Sequence, residues 1–146
     1  MPRLIASRAL FLLLALCALP AGAQQSERFG PFELHYSVVN TTFIDPEIAA
    51  TYGITRGKKR AFVNLALREH VEEGTAARSM ALSGRTWDLI QNQDLEFREL
   101  REGGAIYYIA EFKFINEEWR FFEVEFVPEG SQQSYSYKFK HQLHVH

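Results

Sequence analysis

The chain ends in histidines whose spacing could bind a metal ion. They are His141, His144 and His146. If a β-strand continues to the end of the chain, His144 and His146 lie two residues apart on one face, where two imidazoles can share Zn²⁺ or Cu²⁺. His141 then points to the other face, and a third ligand must come from the terminal carboxylate or from another chain. The alternative is a frayed polar terminus whose histidines bind nothing.

A second group of residues is suited to binding anions. Arg56, Lys58, Lys59 and Arg60 surround Gly57 in a chain whose formal net charge is −2. Such a local positive site could bind anionic lipid headgroups, lipopolysaccharide or an acidic partner. A short run of charges is also typical of a solvated connector between two elements, and this alternative needs no ligand.

The sequence offers little for catalysis. Glu123 and Glu125 stand about 7 Å apart on one face of a predicted strand, but the exposed side of any amphipathic strand has the same spacing. The chain has no Gly-x-Ser-x-Gly elbow, no His-Glu-x-x-His, no Ser-x-x-Lys, no phosphate-binding glycine loop and no Cys-x-x-Cys. We therefore expect a protein that is not an enzyme and that has no cofactor other than a possible Zn or Cu ion.

The N-terminus has the pattern of a secretory signal peptide. A basic start is followed by an apolar run over residues 9–19 and by small residues up to Ala23. The run is too short to span a membrane, which takes about 20 apolar residues. We expect residues 1–23 to be cleaved and the protein to be periplasmic, without a transmembrane segment. Lipidation of Cys17 is disfavoured, because Leu16 is bulky where a lipoprotein signal needs a small residue.

The composition of the remaining chain limits its partners. Cys17 is the only cysteine, so the mature chain has no disulfide, no thiolate metal ligand and no cysteine nucleophile. Residues 24–146 have the length of a single domain. Asp and Glu number 18 against 16 Lys and Arg, which argues against a nucleic-acid partner because domains that bind nucleic acid are usually basic.

Alternation of apolar and polar side chains predicts seven strands joined by turns. The predicted strands are residues 32–38, 63–71, 76–82, 95–103, 105–115, 119–127 and 135–145. One short helix follows the first strand over residues 45–53, where Asp45 is a suitable N-cap, Pro46 suits the first helical position and Gly53 suits the end. Residues 84–93 are a candidate for the crossing between sheets.

Seven short strands with turns at roughly ten-residue spacing are typical of an all-β, immunoglobulin-like antiparallel β-sandwich. The alternative is a single curled antiparallel barrel with a small ligand cavity. Both architectures can bury the many aromatic side chains, 12 Phe and 6 Tyr among them.

Two stretches of the chain, residues 30–43 and 105–112, resemble a known protein family, and so do the turns at residues 52–54 and 127–130. The family comprises small exported proteins of Gram-negative proteobacteria and is catalogued as a domain of unknown function. The resemblance covers the whole mature chain. It implies export and a single β domain, and it implies no site residues.

Taken together, these features predict an exported binding or accessory module. It would contact a protein or another envelope component through a sheet face, an edge strand or a loop. The alternative is a periplasmic protein that binds a metal or small ligand through the C-terminal histidines or an aromatic cavity.

Overall fold

The structure is a computed structural model that describes residues 25–146. The predicted signal peptide lies outside the described residues. This part of the chain forms ten strands, a 3₁₀ helix at Thr41–Phe43 and one α-helix, α1 (Pro46–Thr51). The strands are β1 (Gln25–Phe29), β2 (Phe32–Asn40), β3 (Arg60–His70), β4 (Thr75–Arg78), β5 (Met80–Trp87), β6 (Asn92–Leu95), β7 (Arg98–Glu102), β8 (Ala105–Lys113), β9 (Trp119–Pro128) and β10 (Tyr135–Gln142).

The strands form two antiparallel sheets. Sheet A has the order β1-β2-β3-β8-β7, with β4 paired to the far end of β3, and sheet B has the order β10-β9-β5-β6. The predicted all-β sandwich with a short helix is therefore confirmed. The helix begins where the sequence predicts, because the side chain of Asp45 accepts a hydrogen bond from the backbone N–H of Glu47.

The described chain has ten strands and not seven because β1 precedes the first predicted strand and because two predicted strands each divide between the sheets. The predicted third strand breaks at Ser79 into β4 of sheet A and β5 of sheet B, and the predicted fourth strand breaks into β6 of sheet B and β7 of sheet A. The chain therefore crosses between the sheets at these two breaks, and it crosses a third time between β8 and β9. Residues 84–93 are instead part of the β5–β6 hairpin of sheet B.

The core lies between the two sheets. Leu34, Leu65 and Leu67 of sheet A and Val124 and Phe126 of sheet B are almost completely buried. Each such side chain contributes about 1.5–3 kcal/mol through its removal from water. This core holds the two sheets face to face, so each sheet also has an outer face.

Half of the outer face of sheet A is covered by residues 41–59, which include α1. Ala49 and Ile54 of this segment pack on Val39, Phe62 and Ile109 of the sheet. The segment thus forms a second, smaller apolar cluster on one half of the face. It does not cover the other half, where β3 meets β4.

Candidate functional site

The four cations predicted to form a basic cluster divide into two groups. Arg60 lies 3.9 Å from the carboxylate of Glu111 and also donates to a backbone carbonyl. Arg56 donates to another backbone carbonyl. Lys58 and Lys59 are exposed, and neither has a side-chain partner within residues 25–146. Of the four cations, Arg60 alone has a carboxylate partner within residues 25–146, so the charges of Arg56, Lys58 and Lys59 are not neutralised by an ion pair.

The C-terminal segment is neither a strand nor frayed. Strand β10 ends at Gln142, so His144 and His146 do not share a strand face. The backbone carbonyl of His144 accepts a hydrogen bond of 2.6 Å from the side chain of Asn40. The imidazole ring of His146 lies 5.0 Å from the ring of Phe43. Side-chain contacts thus fix the segment against the domain.

His141 is close enough to His144 for the charge of His144 to affect its pKa. Burial, together with the neighbouring charge of His144, lowers the pKa of His141 below its usual value. Within residues 25–146, no group of three or more His, Cys, Asp or Glu side chains is arranged to hold a metal ion. Whether His144 and His146 bind metal stays a prediction.

Two further histidines, which the sequence presents as isolated, share one carboxylate. Glu33 on β2 lies 3.0 Å from the imidazole of His70 on β3 and 3.3 Å from that of His35. The hydrogen bond from His70 is the largest effect on the pKa of Glu33, which is lowered. The register of β2 with β3 brings these groups together, although 37 residues separate Glu33 from His70.

Exposed and half-buried apolar side chains gather at one end of sheet B, and we call this surface the aromatic tip. It comprises Trp87, Leu89, Ile90, Trp119 and Phe121. Leu89 is 100% exposed and Ile90 81% exposed in the β5–β6 turn, and Trp119 is 50% exposed at the start of β9. Trp87 pairs with Phe121 across the strands, which places the turn beside the two indoles.

Aromatic stacking and cations organise the aromatic tip. The rings of Trp87 and Phe121 stack with centroids 5.7 Å apart. The guanidinium of Arg85 lies 4.6 Å from the centre of the Trp87 ring, and the ammonium of Lys140 lies 5.0 Å from that of Trp119. Cations over indole rings are favourable contacts, and they place positive charge directly around the apolar surface.

Glu123 and Glu125, the predicted carboxylate pair, lie on the outer face of sheet B, and Glu123 is engaged by two cations. Glu123 lies 3.2 Å from Lys138 and 3.4 Å from Arg85. The hydrogen bond from Lys138 is the largest effect on the pKa of Glu123, which is lowered. Glu123 is thus an ionised partner of two cations.

A buried arginine supports the aromatic tip from inside. Arg120 on β9 is only 1% exposed. Its guanidinium lies 3.4 Å from Asp88 and 3.3 Å from Glu118, and it donates to the hydroxyl of Thr86 at 2.9 Å. Burial raises the pKa of Glu118.

Asp88 connects Arg120 to the exposed turn. One carboxylate oxygen of Asp88 contacts the arginine, and the other accepts hydrogen bonds from the backbone N–H groups of Ile90 and Gln91. Burial by itself would raise the pKa of Asp88, but these backbone hydrogen bonds hold it below its usual value. The conformation that exposes Leu89 and Ile90 therefore depends on an ion pair inside the domain.

Sheet A contains a separate cavity of about 170 Å³. It opens on the half of the outer face that residues 41–59 leave uncovered, and Asn64 and Arg68 of β3 and His35 of β2 contribute to its lining. The sequence shows no sign of this cavity, because its walls come from four strands, β2, β3, β4 and β8, that the tertiary structure brings together.

One family model matches residues 26–146, and its description reads Domain of unknown function (DUF4426). A crystal structure of a DUF4426 family protein from Pseudomonas aeruginosa PAO1 is 27% identical, with a TM-score of 0.73 over 87% of this chain and 99% of that chain. No curated protein matches the chain.

Two structures of FetP from uropathogenic Escherichia coli strain F11 are also similar in fold. A copper-bound variant is 12% identical, with a TM-score of 0.58 over 82% of this chain and 94% of that chain. FetP as isolated after expression in the periplasm of E. coli is 12% identical, with a TM-score of 0.58 over 84% of this chain and 95% of that chain. At this identity the likeness shows a shared fold alone.

No helix within residues 25–146 is long and apolar enough to cross a membrane. Nothing in these residues suggests nucleic-acid binding either. The structure adds two candidate functional surfaces to those predicted from the sequence, the aromatic tip and the cavity of sheet A.

Proposed function

The chain belongs to the DUF4426 family, and we propose that it is an exported periplasmic binding module that attaches to the anionic lipid surface of the cell envelope through the aromatic tip. The observation that carries this proposal is the exposure of Leu89 and Ile90, 100% and 81%, beside two tryptophans at one end of sheet B. Contiguous exposed apolar surface on a soluble domain usually marks an interaction site.

The side chains of the aromatic tip suit the boundary between water and lipid. Leu89 and Ile90 stand at the end of a turn, where they can enter the apolar region without moving the sheets. Each gains up to about 1.5–3 kcal/mol when it is fully buried. Trp87 and Trp119 have an apolar ring and a polar N–H, the combination that favours the headgroup level of a bilayer.

The cations around the aromatic tip specify the charge of the lipid. Arg85 and Lys138 share one carboxylate, that of Glu123, and Lys140 has only the Trp119 ring as its partner within residues 25–146. Near an anionic membrane each Lys or Arg contributes about 1 kcal/mol. This local charge opposes the net negative charge of the whole chain, so we expect anionic lipids to be required.

Intrinsic fluorescence tests the proposal directly, because the chain has only two tryptophans and both belong to the aromatic tip. The protein is titrated with vesicles of phosphatidylethanolamine and phosphatidylglycerol, and with vesicles of phosphatidylcholine as the neutral control. We expect a blue shift of tryptophan emission with the anionic vesicles only. Added salt should weaken it, since salt screens exposed charges.

A double variant identifies the side chains responsible. Leu89→Ser with Ile90→Ser should weaken vesicle binding at least roughly tenfold, because two apolar side chains no longer enter the lipid. The matched control is Val71→Ser, which changes a 44% exposed apolar residue beside the β3–β4 turn of sheet A. Absence of any shift, or an undiminished shift in the double variant, would refute lipid attachment. Capture of an envelope protein by the tip, with no vesicle binding, would contradict it as well.

Metal binding by His144 and His146 is a second candidate. It is supported by the copper-bound state of a FetP variant of similar fold. A metal that binds only the folded state raises the melting temperature. We expect Zn²⁺ or Cu²⁺ to do so in the natural chain and not in the variant with His144→Ala and His146→Ala. An unchanged melting temperature of the natural chain would exclude this candidate.

A further inference from the structure

The cavity of sheet A exists because β3 changes its neighbour. Strand β3 pairs with β8 as far as Leu65 and with β4 from Leu67 onward, so Ala66 faces a gap between the two strands. We call this gap the notch. Its volume of about 170 Å³ is close to that of apolar cavities that bind a benzene ring, about 150 Å³.

Asn64 provides a polar group without a partner in the notch. Its side chain lines the cavity, the residue is only 8% exposed, and its Oδ1 is buried without a hydrogen-bond partner within the described residues. Phe62 and Ala66, the neighbouring residues on the same face of β3, are apolar. A buried amide oxygen without a donor is unfavourable, so a ligand that donates a hydrogen bond to it gains free energy.

Arg68 provides a positive charge that is oriented but not neutralised. Its Nε and Nη2 donate to the hydroxyl and the carbonyl of Thr75, at 2.6 and 3.0 Å, which fixes the plane of the guanidinium. No carboxylate of the described residues is within ion-pair distance of it. Glu33, its cross-strand neighbour, contacts His35 and His70 instead. The Nη1 group is therefore available to a carboxylate, the ion that a guanidinium fits best.

Apart from His35, Asn64 and Arg68, the walls of the notch are mostly apolar and include two tyrosines, Tyr36 and Tyr107. Ala66 of β3, Ala77 of β4 and Ala105 of β8 line it together with Leu67 and Ile106. Three alanines on three strands leave the space that larger side chains would fill. An apolar body of about ring size fits this space, with its polar groups directed to the amide and the guanidinium.

We propose that the notch is a binding site for a small organic carboxylate that has an apolar body and a hydrogen-bond donor. The carboxylate pairs with Arg68, the body packs on the alanines, and the donor satisfies Oδ1 of Asn64. This site lies on sheet A and is independent of the aromatic tip, so loss of either activity leaves the other intact.

Nuclear magnetic resonance with three related probes tests the chemistry. The purified protein is titrated with para-hydroxybenzoate, with benzoate, which lacks the donor, and with phenol, which lacks the carboxylate. We expect para-hydroxybenzoate to give saturable shifts of the Asn64 side-chain amide and to bind more tightly than either control. The tryptophan emission should not change, because both tryptophans lie on sheet B. No saturable shift with any probe up to about 10 mM, or phenol binding as tightly as para-hydroxybenzoate, would overturn the proposal.

Three variants assign the affinity to the notch. Arg68→Gln should weaken binding of para-hydroxybenzoate at least roughly tenfold, since a charge-assisted hydrogen bond is lost. Ala66→Leu should abolish binding because it fills the cavity. The matched control is Arg78→Gln on β4, whose guanidinium pairs with Glu69 at 2.6 Å outside the notch and should leave the affinity unchanged. Undiminished binding in Arg68→Gln or in Ala66→Leu would contradict the assignment.

Discussion

Replacing Arg120 by methionine tests how the aromatic tip is supported. The guanidinium is 1% exposed, and the side chains of its partners Asp88 and Glu118 are 7% and 11% exposed. Methionine retains much of the volume but leaves two buried carboxyl groups without a cation. Removing one partner of a buried ion pair costs about 3–5 kcal/mol. We expect about 3 kcal/mol here, because the contacts of 3.3 and 3.4 Å are long and the group lies near the end of the sandwich.

Urea unfolding of Arg120→Met measures this cost. The variant that combines Arg120→Met with Asp88→Asn and Glu118→Gln should regain most of the stability, because it leaves no buried charge. Arg101→Met, which removes an exposed ion pair of β7, should leave the unfolding midpoint nearly unchanged. A loss below about 1 kcal/mol in Arg120→Met, or no recovery in the triple variant, would refute the reasoning.

Three further predictions concern the rest of the domain. Burial lowers the pKa of His141 in the folded state, so the unfolded chain binds the proton more readily. The free energy of unfolding should therefore fall as the pH drops below 6.5, the usual pKa of histidine. His141→Gln should flatten this dependence in melts recorded at several pH values. Gly84→Ala would place a Cβ 2.9 Å from a carbonyl oxygen of β9 and should lower the free energy of unfolding in urea by about 1–3 kcal/mol. The control is Gly104→Ala, whose Cβ would meet nothing within 4 Å and which should lower it less. Thr41→Val removes a buried hydroxyl that accepts from the backbone N–H of Gly57 at 3.0 Å, and calorimetry should show a loss of about 1–3 kcal/mol.

The aromatic tip could be recognised in the sequence only in part. Leu89 and Ile90 follow a strand and precede another, which is also what an apolar core segment looks like. Their exposure depends on the turn that Asp88 makes by accepting hydrogen bonds from Ile90 and Gln91. That turn is supported by Arg120, a residue 32 positions away in the chain. An arginine in an amphipathic strand gives no sign that it is buried.

Sequence by itself determined the features that depend on neighbouring residues. Alternating side chains located most of the strands, though not β1. Asp45 and Pro46 located the start of α1, and the Gly103-Gly104 pair located the β7–β8 hairpin. These signals are reliable because capping and hairpin geometry involve only a few consecutive residues.

Only the tertiary structure decided which sheet each strand joins, and therefore which surfaces exist. A period of two is the same for strands of either sheet, because both sheets turn one face toward the common core. The change of neighbour along β3, which opens the notch, and the meeting of Glu33 with His70 both follow from strand pairing between distant segments. Pairing is set by the packing of the whole domain, so the candidate sites became visible only once that packing was known.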